Sequence, residues 1–325
     1  GLSVASVHRR VPHGTGKMFW SDPLHSSFEG EFVLGEPRGR GTFRNDRGEL
    51  RGCFGDGGFV SGPGFRVWRG ASPEDDSISG LVQGMLFQHC NKGEEMRYTG
   101  QLRDNMMHGP GLLEWPDGRA YKGNFVANRI EGEGTMRWFG AASKAVSSKT
   151  RNEGSGSITT TTMNVYTGQF VSGAFHGKGE LSLLNGETYR GAFSRGRFHG
   201  RGEFCAAKEA PSAAGKSSER FRVVGSWKDG VPDGLVEIDY GTARGGGTYR
   251  GHVRQGSFHG RGTRVWPSGD IYIGQWKSKA LATAAAKSAR AEVNTKTIAK
   301  ATTLMTADDA QMHGPGSYLF ASGAQ

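Results

Sequence analysis

"YTGQLRDNMMHGPGLLEWPDG" occupies residues 98–118, and close copies recur as "YKGNFVANRIEGEGTMRWFG" from Tyr121, "YTGQFVSGAFHGKGELSLLNG" from Tyr166 and "YRGAFSRGRFHGRGEFC" from Tyr189. A pattern met once can be an active site, whereas one that returns at an interval is a building unit. With the tyrosine as position 0, strong copies start at Tyr98, Tyr121, Tyr166, Tyr189, Tyr249 and Tyr272, and the pairs 98/121, 166/189 and 249/272 are each 23 residues apart. Weaker copies begin at Phe28, Leu50, Ile78 and Val223, with a truncated one near Ser3, which makes eleven.

Position +2 is glycine almost throughout, as in Gly100, Gly123, Gly168, Gly191 and Gly251, and +4 is large and apolar, as in Leu102, Phe125, Phe170, Phe193 and Trp276. Side chains alternate along a strand, so positions 0, +2 and +4 share one face that reads large, nothing, large. The missing side chain lets a ring or another backbone come close. From +10 comes His-Gly-x-Gly, at His108-Gly109, His176-Gly177, His199-Gly200 and His259-Gly260, with a second glycine such as Gly111 two residues on. Apolar residues at +15 and +17, among them Leu113 and Trp115, mark a second strand, and "WPDG" at 115–118 or "WPSG" at 266–269 supplies a turn. One copy is thus predicted to be a β-hairpin leading by a short turn into the next.

The pattern resembles the MORN repeat (membrane occupation and recognition nexus), whose signature is YxGxF/W, a short spacer and HGxGxxxxxxG. The resemblance covers nearly the whole chain outside its insertions. It implies an all-β fold, an elongated single array of about eleven stacked antiparallel hairpins over residues 1–325. Two strands per copy at ~4.8 Å each would give a rod on the order of 100 Å. Two copies depart from the signature: that at Ile78 keeps Gly80 but lacks His-Gly-x-Gly, and that at Val223 has Asp233-Gly234-Leu235 without the second glycine.

Composition agrees with a repeat array. Of 325 residues, 35% are hydrophobic and 54 are glycine, too few apolar groups for a thick core and about double the usual glycine share. No apolar run approaches the ~18 residues of a membrane span, and no signal-peptide core opens the chain. Beginning at Gly1, the sequence reads as a fragment or a processed form. Cys53, Cys90 and Cys205 lie far apart and form no CxxC pair, which fits a reducing compartment. A formal net charge of +10 points to anionic partners, whether acidic protein surfaces, anionic lipid or nucleic acid.

Insertions break the period at 141–164, 205–220 and 279–311. The first two are rich in small and polar residues and read as loops. The third is rich in alanine, which favours helix, and reads either as a solvated excursion or as a partner-docking helix. "APSAAGKS", Ala210 to Ser217, loosely satisfies a phosphate-loop pattern, but the adjoining "ERFRVVGSW" reads as a strand instead of the required helix. "HGTGK" at 13–17 is a repeat histidine. His13, His108, His176, His199, His259 and His313 share one repeat position, so neighbours are expected about 10 Å apart, too far to share a zinc ion. They are expected to bond turn backbone. No catalytic constellation, metal site or cofactor motif is evident.

Two columns of cations suggest a surface. Position +12 holds Arg40, Lys178, Arg201 and Arg261, interrupted by Pro110, Glu133 and Leu235, and position +1 adds Lys122, Arg190 and Arg250. Stacking aligns equivalent positions, and Lys178 and Arg201 are expected as neighbours. These cations serve either to protect strand edges and keep the protein in solution, or to face an anionic partner.

The resemblance implies a non-enzymatic scaffold like those of radial-spoke heads in cilia and flagella or of other microtubule-cytoskeletal assemblies, placed in the cytoplasm and binding other proteins. Alternatives within the family are a peripheral membrane protein holding phosphoinositide headgroups and a targeting module of a larger enzyme. Nucleic acid is not expected as a partner, and the sheet ends offer edges for a second copy.

Overall fold

The computed structural model describes residues 11–69, 94–139, 163–206, 220–241, 245–278 and 310–321. The start of the copy placed at Ser3, most of that at Ile78, Cys90, the loop Ala210–Ser217 and most of the three insertions, with the helix expected in the third, lie outside the described residues. Asn164, Cys205, Ala310 and Gln311, assigned to insertions from the sequence, belong to the flanking strands.

The chain divides into two compact units, residues 1–134 and 135–325. In the first run β1 (Gly14–Phe19), β2 (Ser27–Val33), β3 (Glu36–Asn45), β4 (Gly48–Phe54), β5 (Gly62–Arg69), β6 (Glu95–Arg103), β7 (Met106–Glu114), β8 (Ala120–Val126) and the start of β9 (Arg129–Trp138). The second continues from the end of β9 with β10 (Asn164–Val171), β11 (Ala174–Ser182), β12 (Thr188–Ser194), β13 (Arg197–Cys205), β14 (Arg222–Lys228), β15 (Val231–Asp239), β16 (Thr248–Arg254), β17 (Ser257–Val265), β18 (Ile271–Ser278) and β19 (Ala310–Leu319). Within each unit every strand pairs antiparallel with its sequence neighbour. The fold is all-β, and among the described residues the one helical turn is the 3₁₀ segment Asp56–Gly58.

Two kinds of turn alternate. Within a hairpin, two residues with positive φ join the strands, such as Asp104 (51°) with Asn105 (65°) and Arg195 (50°) with Gly196 (76°). This is the mirror-image turn whose twist matches that of the strands. Between hairpins, Trp115 N–H donates to the Arg119 carbonyl at 2.9 Å and Gly118 takes φ 84°. "WPSG" repeats the arrangement, with Trp266 N–H donating to the Asp270 carbonyl at 2.9 Å. The within-hairpin turns also tie successive hairpins together: the N–H groups of Asn128, Gly196 and Gly230 donate to the carbonyls of Met107, Phe175 and Phe198 at 2.8–2.9 Å.

One face of the strands carries the core. Tyr98, Tyr121, Tyr166, Tyr189 and Tyr249 are 0–1% exposed, and the +4 residues around them are buried too. A third core position at +9 (Met107, Ile130, Phe175, Phe198 and Phe258) is also buried. The repeat signature in the sequence does not mark it.

Candidate functional site

Each tyrosine lies across two glycines. A Cβ on Gly111 would stand 2.4 Å from Tyr98 Cε2, and one on Gly100 would stand 2.5 Å from the Gly111 Cα. The same clash returns at Gly123 with Tyr121, at Gly168 with Tyr166, and at Gly191 and Gly251 with their own tyrosines. The hydroxyl then donates to the backbone carbonyl three residues on: Tyr98 to Gln101 at 2.6 Å, Tyr166 to Gln169 at 2.9 Å, Tyr249 to His252 at 2.9 Å. Burial pushes the Tyr98 phenol up to about 12 and those of Tyr121, Tyr189 and Tyr249 further in the same direction. These groups hold the fold. They are not reactive centres.

The first glycine after each histidine works differently. Gly109, Gly177, Gly200 and Gly260 have φ between 56° and 66° and sit where the pairing register slips, opposite +3. Such bulges twist and bend the strand. The histidines beside them do not all bond turn backbone. His108 Nδ1 accepts from the Ala127 N–H at 3.4 Å, whereas His199 and His259 lie exposed on the surface and have no ring partner among the described residues. His176 instead offers its backbone carbonyl to the Tyr166 hydroxyl at 3.3 Å. No group of three His, Cys, Asp or Glu among the described residues is placed to hold a metal ion.

All seven cations singled out in the sequence, Arg40, Lys122, Lys178, Arg190, Arg201, Arg250 and Arg261, are exposed on the face opposite the tyrosines. The two columns differ in what surrounds them. Position +1 is interleaved with carboxylates at +14: Arg190 stands in register between Glu180 and Glu203 and pairs with Glu180 at 2.8 Å, and Arg250 stands opposite Glu237. Arg222, bonded to Glu203 at 2.6 Å, holds that carboxyl below the usual carboxylate range. Position +12 has no such neighbours. Lys178 pairs in register with Ala192, Arg201 with Ser226 and Arg261 with Gln275, and none of the three has a carboxylate within ion-pair distance among the described residues. Lys178 and Arg201 lie on the two strands flanking β12, Lys178 in register with Ala192 and Arg201 within the slip opposite Gly191 and Ala192, and exposed Leu235 interrupts the row before Arg261.

Where the pattern lapses, the packing shows why. In the copy that starts at Val223, Val236 takes the place of the second glycine and fills the space the ring would have occupied, 2.9 Å from a Cβ on Gly225. A model of the MORN repeat matches residues 28–48, 98–118, 121–139, 166–188, 189–207, 224–235, 249–271 and 309–325. The chain is a MORN-repeat protein. The eight MORN matches include the copies at Phe28 and Val223 and skip residues 49–97, where the copy at Leu50 nevertheless forms β4 and β5. No curated protein is similar enough to count as a relative.

Two buried groups from adjoining MORN copies, Arg264 and Tyr240, carry no signal in the repeat signature. Arg264 occupies +15, where other copies carry Leu113, Leu181 or Phe204, and is 3% exposed. Its guanidinium lies over the Tyr240 ring at 3.9 Å and donates to the Gly246 carbonyl at 3.1 Å, while Nε and Nη1 find no acceptor among the described residues.

Proposed function

We propose that this MORN array is a non-enzymatic scaffold, a platform that presents its outer strand face to other proteins of a cytoskeletal assembly. One observation carries the reading. The tyrosine face is consumed by its own packing, so the surface left for partners is the outer face, where exposed residues recur at the same position on every second strand. Such a face suits repeated or extended contacts better than enclosure of a small substrate. The resemblance to radial-spoke and other microtubule-associated MORN arrays supports a cytoplasmic, cytoskeletal or ciliary setting. The test is proximity labelling with the full chain in native ciliated cells. Labelling concentrated on cytoskeletal or axonemal proteins is the expected result; labelling no different from a freely diffusing control would overturn the proposal.

A second reading, attachment to anionic phosphoinositide headgroups, is favoured by the +12 cations, Lys178, Arg201 and Arg261, which lack carboxylate partners among the described residues. No helix among the described residues is long and apolar enough to cross a membrane, and exposed cations of this kind are drawn to the anionic face of a bilayer. Vesicle flotation at physiological salt separates the two readings. Binding that Lys178→Glu and Arg201→Glu abolish supports it, and binding indifferent to those changes removes it.

A further inference from the structure

The outer face of the second unit is divided lengthwise into two lanes. One follows positions +1 and +14, where Glu180 and Glu203 are held by Arg190 and Arg222. The other follows +12, and across β11, β13, β15 and β17 it reads Lys178, Arg201, Leu235, Arg261, all exposed. The residues in register with these four are Ala192, Ser226, His252 and Gln275, none of them a carboxylate. Two residues along from Lys178 and Arg201 stand the same Glu180 and Glu203, already held, and Arg261 has Thr263 in that place.

Position +5 is cationic at the same end of the array, with Lys228, Arg254 and Lys277 exposed along the lane's other margin. None of these six cations has a carboxylate within ion-pair distance among the described residues. The acids at that margin are Asp229, in the turn after β14, and Asp233, whose carboxylate accepts the Gln255 N–H at 3.2 Å. The lane is thus positive along its whole length, with one apolar side chain inside it.

Its spacing and its course specify a partner. Strands lie ~4.8 Å apart, so the +12 side chains recur every ~9.6 Å and the lane from Lys178 to Arg261 spans about 29 Å. An extended chain of the polyproline type advances ~3.1 Å per residue with three residues per turn, so every third side chain points the same way ~9.3 Å further on. The two repeats nearly coincide, and about ten residues cover the lane. A sheet twists by roughly 20–25° at each strand, so six strand steps wind the lane through more than a right angle. A polypeptide can follow that path, whereas a flat bilayer meets only a few of the cations at once.

We infer that this lane docks an extended segment of a partner protein with a side chain for the lane at every third place, in the order acid, acid, apolar, acid. The inference rests on the scaffold reading and assigns its surface a partner chemistry. Exposed ion pairs are individually weak, so affinity comes from the matched set. Leu235, 54% exposed, offers the apolar contact that fixes the register.

The test uses fluorescein-labelled, proline-rich decapeptides and the full chain at physiological salt, read by anisotropy. The patterned peptide, made in both chain directions, carries Glu at its first, fourth and tenth places and Phe at the seventh. Its control has the same composition with the acids gathered at one end. The better direction is expected to bind about tenfold more tightly than the control, and to lose about that factor on Arg201→Glu or on Leu235→Ser. Arg103→Glu, the same change of charge on an exposed residue of the first unit, is expected to leave binding unaltered. Equal binding of patterned and control peptides, no binding of any, or binding that Arg201→Glu and Leu235→Ser leave unchanged would each overturn the inference. So would anionic vesicles that bind wild type and are released by Arg201→Glu while every peptide stays free, which would make the lane a lipid surface. Cytoskeletal proximity labelling retained alongside failed peptides would sink the lane and leave the scaffold standing.

Discussion

The rings of Tyr166 and Phe175 stack with centroids 3.8 Å apart and planes inclined by 12°. Phe170 and Phe193 meet the same tyrosine edge-on at 5.1 and 5.0 Å. Phe170 belongs to the same copy and Phe193 to the next, so one ring joins two hairpins. Tyr189 repeats the arrangement with Phe198 at 3.7 Å and Trp227 at 5.4 Å.

Ring and hydroxyl contribute separately. Tyr166→Phe keeps the stack and loses the bond to Gln169, so it is expected to cost about 1 kcal/mol. Tyr166→Ala removes the ring and leaves a cavity between two hairpins, with an expected cost of about 3–5 kcal/mol. Chemical denaturation of both variants checks the ratio; equal costs would mean that the hydroxyl carries the contribution.

The two glycines of His-Gly-x-Gly fail for different reasons. Gly109→Ala meets no atom nearer than 3.5 Å but must hold φ near 63°, a cost of about 1–2 kcal/mol. Gly111→Ala has ordinary backbone geometry but drives a methyl to 2.4 Å from Tyr98. Because backbone and ring are both fixed, its cost is expected at or above the upper end of the usual overpacking range, about 3 kcal/mol. Thermal melts of the pair should rank Gly111→Ala clearly lower.

Alkali should open the core. An unfolded phenol titrates near pH 10, whereas burial pushes Tyr98 to about 12 and Tyr121, Tyr189, Tyr240 and Tyr249 upward as well. A raised folded pKa contributes stability that is complete below about pH 10 and lost as pH climbs through about 12. Tyrosinate absorbance is therefore expected to rise in one step together with loss of the β-sheet circular dichroism. A smooth titration near pH 10 in a folded protein would contradict the burial.

Arg264 is a charge in a leucine's place. Burial pulls its pKa down, no carboxylate among the described residues offsets it, and its partners are one neutral carbonyl and the Tyr240 ring. The contact with the ring returns about 2 kcal/mol when desolvated, less than an unpaired buried charge costs. Arg264→Leu is expected to stabilise the chain by about 1 kcal/mol or more, measured by denaturant midpoint at constant slope.

The sequence made the period, the tyrosine face and the "WPDG" turns legible because each depends on a residue type that little else can replace. Position +9 was hidden because it is Phe at 175, 198 and 258 but Met107, Ile130 and Pro232 in other copies, buried in each, so no single residue type marks it. The within-hairpin turns were legible in principle, since their second residue is Asn or Gly from Gly35 to Gly256. The carboxylates at +14 that accompany Arg190 and Arg250 went unseen because they are brought there by register between strands. The half-exposure of Leu50 needed coordinates, since Val223 departs from tyrosine just as far and is buried beside Val236.

Trp227 and Trp276 each donate their indole N–H to a glycine carbonyl of an earlier copy, Gly202 at 3.2 Å and Gly262 at 3.1 Å. A copy is therefore completed by its successor and is no brick in its own right. Gain or loss of chain in steps of 23 residues, the spacing from Tyr166 to Tyr189, hands every ring a new lid. A cut at any other phase strands an aromatic without one, so the lineage of such a protein is constrained to lengthen and shorten in whole cassettes.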